Sequence, residues 1–125
     1  MPRGVAPAHL LASEGVLTSI ASNNILNPFT PYGDASLLRM ANLYANVAQL
    51  SRRSDMQLAF EMISTSAARI MGRDEQPIEI GSPADIILID SIDREQAIRE
   101  NARVIFGCKR GRRTFEAPRP SILRA

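Results

Sequence analysis

Histidine and cysteine are the scarcest reactive residues in this sequence, which has one of each, His9 and Cys108. A single cysteine excludes an intrachain disulfide and fits a reducing compartment. A zinc site built from several His or Cys ligands cannot be assembled from this pair. Tryptophan is absent and aromatics make up only 5%, too few to interleave with cations as a stacking platform for single-stranded nucleic acid. No apolar run reaches the length of a membrane span, and the N-terminus has no signal-peptide core. Charge of one sign is also lacking: 15 Lys and Arg against 13 Asp and Glu leave +2, whereas a nucleic-acid binder concentrates base on one face. The small excess lies in Lys109, Arg110, Arg112, Arg113, Arg119 and Arg124, which reads first as a solvated end.

The 125 residues, 45% apolar and 22% charged, suit one modest globular core. The stretch that organises the chain is Gly15 to Gly33, GVLTSIASNNILNPFTPYG. Val16 to Ile20 alternates like a short strand. It runs into Ser22-Asn23-Asn24 and then a loop with Pro28, Pro31 and Gly33. Polar side chains at the C-terminal end of a strand, followed by a loop and a helix, are how barrel enzymes place functional groups. The same asparagines suit a plain turn equally well.

Around that stretch the pattern predicts helices. One runs from about Val5 to Glu14, with Pro7 in its first turn and Gly15 as its stop. A second covers Asp34 to Leu50, capped by Asp34 or Ser36. Its polar stripe is Arg39, Asn42, Asn46 and Gln49, and its broad apolar face includes Leu37, Leu38, Ala41 and Tyr44. A third is capped by Asp55 and reaches Met71, with Met56, Phe60, Ile63, Ala67 and Ile70 on one face and Gly72 at its end. Arg73 to Gln76 is a charged loop and Ile78 to Ile80 a short extended piece. Ile86 to Ile89 reads as a buried strand, Ile92 to Asn101 as a helix, Val104 to Cys108 as a strand, and Thr114 to Glu116 as its return after a turn. Cys108 reads as a small buried hydrophobe rather than a nucleophile. The expected core has two groups: Leu37, Leu38, Ala41, Tyr44, Phe60, Ile63, Ala67 and Ile70 between the long helices, and Ile86 to Ile89 with Val104 and Phe106 in the β layer.

Three stretches together carry a family resemblance: SIASNNILNPFTPYGDASLLRMANLYANV; ISTSAARIMG followed by IEIGSPADIILID; and VIFGCKRGRRTF. From about Arg3 to Phe115 the chain resembles the C-terminal third of a metal-dependent amidohydrolase. The Gly-Ser-Pro-Ala-Asp turn after the Thr-Ser-x-Ala-Ala-Arg helix points to the superfamily. Asn-Asn-Ile-x-Asn-Pro-Phe points to its cytosine deaminase-like branch, with relatives that act on triazine rings.

The resemblance implies an α/β fold: the C-terminal fragment of a (β/α)8 barrel, with the last strand and closing helices, plus part of a small β-sandwich. Residues 1–72 would end the barrel, 73–117 would join the sandwich, and 118–125 would be an irregular tail. It implies hydrolysis of non-peptide C–N bonds in a small cyclic nitrogenous substrate, by an enzyme using divalent Zn or Fe. Asn23 falls where relatives carry a metal-binding Asp and departs from it, since an amide neither ionises nor acts as a base. Asn24 falls at a substrate-facing position. The family's metal-binding histidines have no counterpart here, so the isolated chain is expected to hold no metal and to be inactive. No nucleic-acid or membrane partner is expected, the location is expected to be cytoplasmic, and a homo-oligomer is compatible with the resemblance. The alternative is a truncated, non-catalytic remnant acting as an interaction or assembly module. A small nucleic-acid-binding domain using the basic tail is the weakest reading.

Overall fold

Four helix ends in this chain share one device. At each, a residue with positive φ follows the helix: Gly15, Gln49, Gly72 and Asn101 at +83°, +53°, +66° and +48°. The next amide then reaches back to close the last turn, as Val16 N–H to Leu11 O, Leu50 N–H to Ala45 O, Arg73 N–H to Ala68 O, and Ala102 N–H to Ala97 O. This satisfies carbonyls that a helix otherwise leaves orphaned.

A computed structural model of the chain describes residues 4–73, 77–118 and 121. Its elements in order are α1 (Ala8–Ser13), α2 (Leu37–Val47), α3 (Arg53–Met62), α4 (Thr65–Ile70), β1 (Ile86–Ile89), α5 (Arg94–Arg99), β2 (Val104–Lys109) and β3 (Arg112–Glu116). The strands form an antiparallel sheet in the order β1-β2-β3, with Ile87 opposite Gly107 and Gly107 opposite Phe115. Arg3, most of the expected charged loop (74–76), Arg119, Arg124 and most of the expected tail lie outside the described residues.

Several expectations are corrected. Val16 to Ile20 forms no strand: a strand needs a neighbour to complete its ladder, and here Val16 N–H closes α1 on Leu11 O while Ile20 N–H reaches Met62 O at 3.1 Å. That bond takes the carbonyl which would have continued α3, and Ser64 Oγ donates to Phe60 O at 2.6 Å. Such back-bonding bends helices, and the expected helix to Met71 divides into α3 and α4. Asp55 sits inside the first turn, its carboxylate accepting from Arg52 N–H at 3.2 Å. The Asp34–Leu50 helix is shorter because Ser36 is its cap, accepting from Arg39 N–H at 3.2 Å, while Asp34 accepts from Ser36 N–H. Pro7 stands at the cap of α1 rather than in its first turn. Ile78 and Ile80 lie in a bend and turn, not an extended piece, and both are exposed.

The core is centred differently from the expected one. Leu38, Ala41, Ala45, Met56, Ala97 and Ile98 form the buried cluster, so α2, α3 and α5 make one layer. Asn42 Nδ2 ties α2 to α5 by donating to Ile98 O at 2.8 Å. Met62 and Ala59 are buried on α3, while Leu37 and Ile70 are exposed. Phe60 and Ile63 pack at the cluster's edge. In β1, Ile86 and Ile89 are half-buried but Ile87 and Leu88 are exposed, because the helical layer covers only part of the sheet.

Candidate active-site cleft

The loop between α1 and α2 is built on Asn27. Its side-chain Oδ1 accepts from Phe29 N–H at 3.0 Å and Thr30 N–H at 2.9 Å. The backbones of Asn27 and Thr30 exchange both hydrogen bonds at 3.1 Å. An Asn before Pro favours this local closure, because its carbonyl can mimic a backbone turn. Nδ2 of Asn27 then donates to Oδ1 of Asn24 at 2.8 Å. Leu26 has φ +50° and Gly33 φ +118°. A Cβ at Gly33 would lie 3.4 Å from the Ile25 side chain as well as being strained.

The loop and the start of α2 enclose a cleft of about 510 Å³, lined by Ser22, Asn24, Ile25, Phe29, Tyr32, Arg39, Met40 and Leu43 among others. Asn24 is half-buried, and the rings of Phe29 and Tyr32 are exposed. Exposed aromatic side chains beside hydrogen-bonding groups such as Ser22, Asn24, Thr30 and Ser36 suit a flat ring with polar edges. At one edge Arg39 lies 3.7 Å from Asp34. The Asp34 carboxyl titrates below its ordinary 3.8, first because it accepts from Ser36 N–H and then because Arg39 is near.

Of the two residues singled out from sequence, Asn24 lines the cleft and Asn23 does not. Asn23 is exposed with φ +64°, a left-handed conformation that Asn tolerates better than most residues. Asn27, Phe29 and Tyr32 were not singled out as site residues. The Asn-Pro step carried the signal for the first, while the other two offered no pattern beyond being aromatic in a loop.

His9 is occupied structurally. Its Nδ1 lies 2.8 Å from Tyr44 Oη, which also accepts from His9 N–H at 3.0 Å, fastening α1 to α2. Cys108 directs Sγ to Ala84 O at 3.2 Å. Lys109 Nζ and Arg110 backbone N–H both donate to Asp85, and Arg113 pairs with Glu116 at 2.7 Å, so the charges of Lys109 and Arg113 are paired locally. Among the described residues no group of three His, Cys, Asp or Glu could hold a metal ion, and the amides of the cleft are neutral. The chain's own described residues therefore do not fit the divalent metal on which the family generally depends. No helix among the described residues is long and apolar enough to cross a membrane.

Comparison with known proteins gives a consistent result. The sequence profile of the amidohydrolase family matches residues 1–115. N-isopropylammelide isopropyl amidohydrolase of Pseudomonas sp. (strain ADP) is 28% identical over 107 residues, which are 85% of this chain and 27% of that protein. Pterin deaminase of Rhizobium rhizogenes is 37% identical over 90 residues, 71% of this chain and 20% of that protein. Thus the chain spans about a quarter of the length of the curated relatives it matches. The 5-methylcytosine deaminase of Klebsiella pneumoniae superposes with a TM-score of 0.85 at 21% identity, over 96% of this chain and 29% of that one. N-isopropylammelide isopropylaminohydrolase of Burkholderia multivorans superposes with a TM-score of 0.78 at 26% identity, over 92% and 30%. On the match across residues 1–115, the chain belongs to the amidohydrolase family.

Proposed function

We propose that this chain is the C-terminal part of a hydrolase that cleaves a non-peptide C–N bond in a small, cyclic, nitrogenous substrate. The observation that carries the reading is the cleft of about 510 Å³, which Asn24 lines together with the exposed aromatic residues Phe29 and Tyr32. An amino-substituted ring needs flat apolar contact and one or two oriented hydrogen bonds. The named activities of the relatives, on an alkylammelide, a pterin and a methylcytosine, support that substrate class. In this reading residues 1–72 complete a barrel, 73–117 belong to a β-sandwich, and Val16 to Ile20 pairs as a strand only with chain lying beyond the present one. Asn24 binds substrate. Asn23 takes the position of the family's metal-binding Asp, where its amide can accept or donate a hydrogen bond but cannot take up a proton at neutral pH. A metal and a proton-transfer group belong outside these residues, and the 125 residues alone are inactive. The location is cytoplasmic.

The second reading, an interaction or assembly module without catalysis, is supported by the exposed apolar side chains Val16, Leu17, Leu88, Ile92 and Phe115, since large apolar exposure marks surfaces meant for a partner. Release of ammonia or alkylamine from aminopyrimidines and aminotriazines, assayed with the protein isolated at its native mass, separates the two. Release is expected for a hydrolase. A protein of 13.7 kDa that releases nothing and co-purifies with a partner supports the module.

A further inference from the structure

The loop contains a chain of amide orientations that can be read from one end. Asn27 must direct Oδ1 at its own loop, because two backbone N–H groups, of Phe29 and Thr30, point there. Its NH2 group therefore faces Asn24, which must answer with Oδ1. That fixes the Asn24 amide: its NH2 carries no hydrogen bond to a described residue, and Asn24 lines the cleft. The two faces of an amide are close in shape but opposite in hydrogen-bonding sense, so what decides between them is the partner behind.

We propose that Asn27 is the positioning residue that sets the recognition sense of the cleft. By holding the Asn24 amide with its NH2 toward the ligand, it makes the site select a ring acceptor, a carbonyl oxygen or an unprotonated ring nitrogen, over a ring donor. This rests on the reading of the cleft as a substrate site and adds to it which edge of the ring Asn24 reads.

Exchanging Asn27 for Asp keeps acceptors for the Phe29 and Thr30 amides but presents only an oxygen to Asn24. The Asn24 amide must then turn over and show its oxygen to the cleft. The Asn24→Asp variant reaches the same sense directly, because a carboxylate can only accept. The test uses the 125-residue chain and two minimal probes, N-methyl-2-pyridone as a pure acceptor and pyrrole as a pure donor. Binding is followed by shifts of the Asn24 side-chain amide, or of the Phe29 and Thr30 backbone amides in the Asn24 variant. The native chain should prefer N-methyl-2-pyridone on the order of tenfold, the value of one well-made hydrogen bond. Asn27→Asp and Asn24→Asp should both reverse the order, and Asn27→Ala should abolish it. A preference unchanged in Asn27→Asp, with Phe29 and Thr30 amide shifts showing the loop intact, overturns the proposal, as does the absence of any preference in the native chain. Failure of the hydrolase reading shows separately, as no amine release by the protein at its native mass while the probe preference stands.

Discussion

Ile98 and Ile87 are the same side chain placed in two halves of one molecule. Ile98, on α5, has 0% of its surface exposed, sealed against α2 and α3. Ile87, on β1, is 55% exposed and looks into an open groove beside Leu38, Phe60 and Val104. The helical layer closes on itself, whereas every residue of β3 is exposed. Stability should therefore reside in the helices, with the sheet and the loop that forms the cleft resting on them.

The widest separation is expected between matched truncations. Ile98→Ala should cost about 2–5 kcal/mol through lost transfer energy and a cavity. Ile87→Ala should cost less than about 1 kcal/mol. Urea unfolding of both variants measures the difference, and equal costs would mean that the sheet is as enclosed as the helical layer. Within the sheet, the sharpest packing constraint is Gly107, where a Cβ would fall 2.4 Å from the Phe115 ring. Gly107→Ala should lower stability by about 1–3 kcal/mol as the ring is displaced. Replacing Phe115 with Leu as well should return part of that loss, as read from the thermal midpoint. On the helical side, Gln49 holds φ +53° at the end of α2. Gln49→Gly should raise stability by about 1 kcal/mol, because glycine occupies this conformation without steric cost. No gain on chemical unfolding would argue that the α2 terminus relaxes in solution.

The smallest effect concerns the hairpin tip. Asp85 titrates below its ordinary 3.8, first because Lys109 Nζ donates to it and then because Arg110 N–H does. A carboxyl lowered in the folded state contributes stability that is fully present above its unfolded value and disappears as pH falls through the folded value. The contribution should thus be intact at neutral pH and be lost only below about pH 3.8. Asp85→Asn should remove this part of the acid dependence and leave neutral stability only slightly lower. A change centred near neutrality would contradict the assignment.

The sequence made the helices legible and their limits less so. Apolar spacing located α2, α3 and α5, and Gly15 and Gly72 marked real stops. Gln49 and Asn101 end helices by the same geometry, but neither announces itself as glycine does. The break at Ser64 was hidden because it depends on Ile20 reaching the Met62 carbonyl from 42 residues away in sequence. The core shifted toward Ala97 and Ile98 because one short amphipathic helix, tied down through Asn42, fills the space between the two longer ones. The family pattern pointed to Asn24, which lines the cleft. Asn27 was not legible, since its importance lies in three hydrogen bonds made by one side chain.

The central claim is that the cleft around Asn24 binds the ring of a C–N hydrolase substrate. The most direct test is the steady-state kinetics of Asn24→Ala in the protein at its native length, assayed by amine release from an aminated ring. The account predicts that kcat/KM falls by at least about tenfold, largely through KM, while unfolding stability changes by less than about 0.5 kcal/mol. An unchanged kcat/KM in a folded, active variant would place the substrate elsewhere and contradict it.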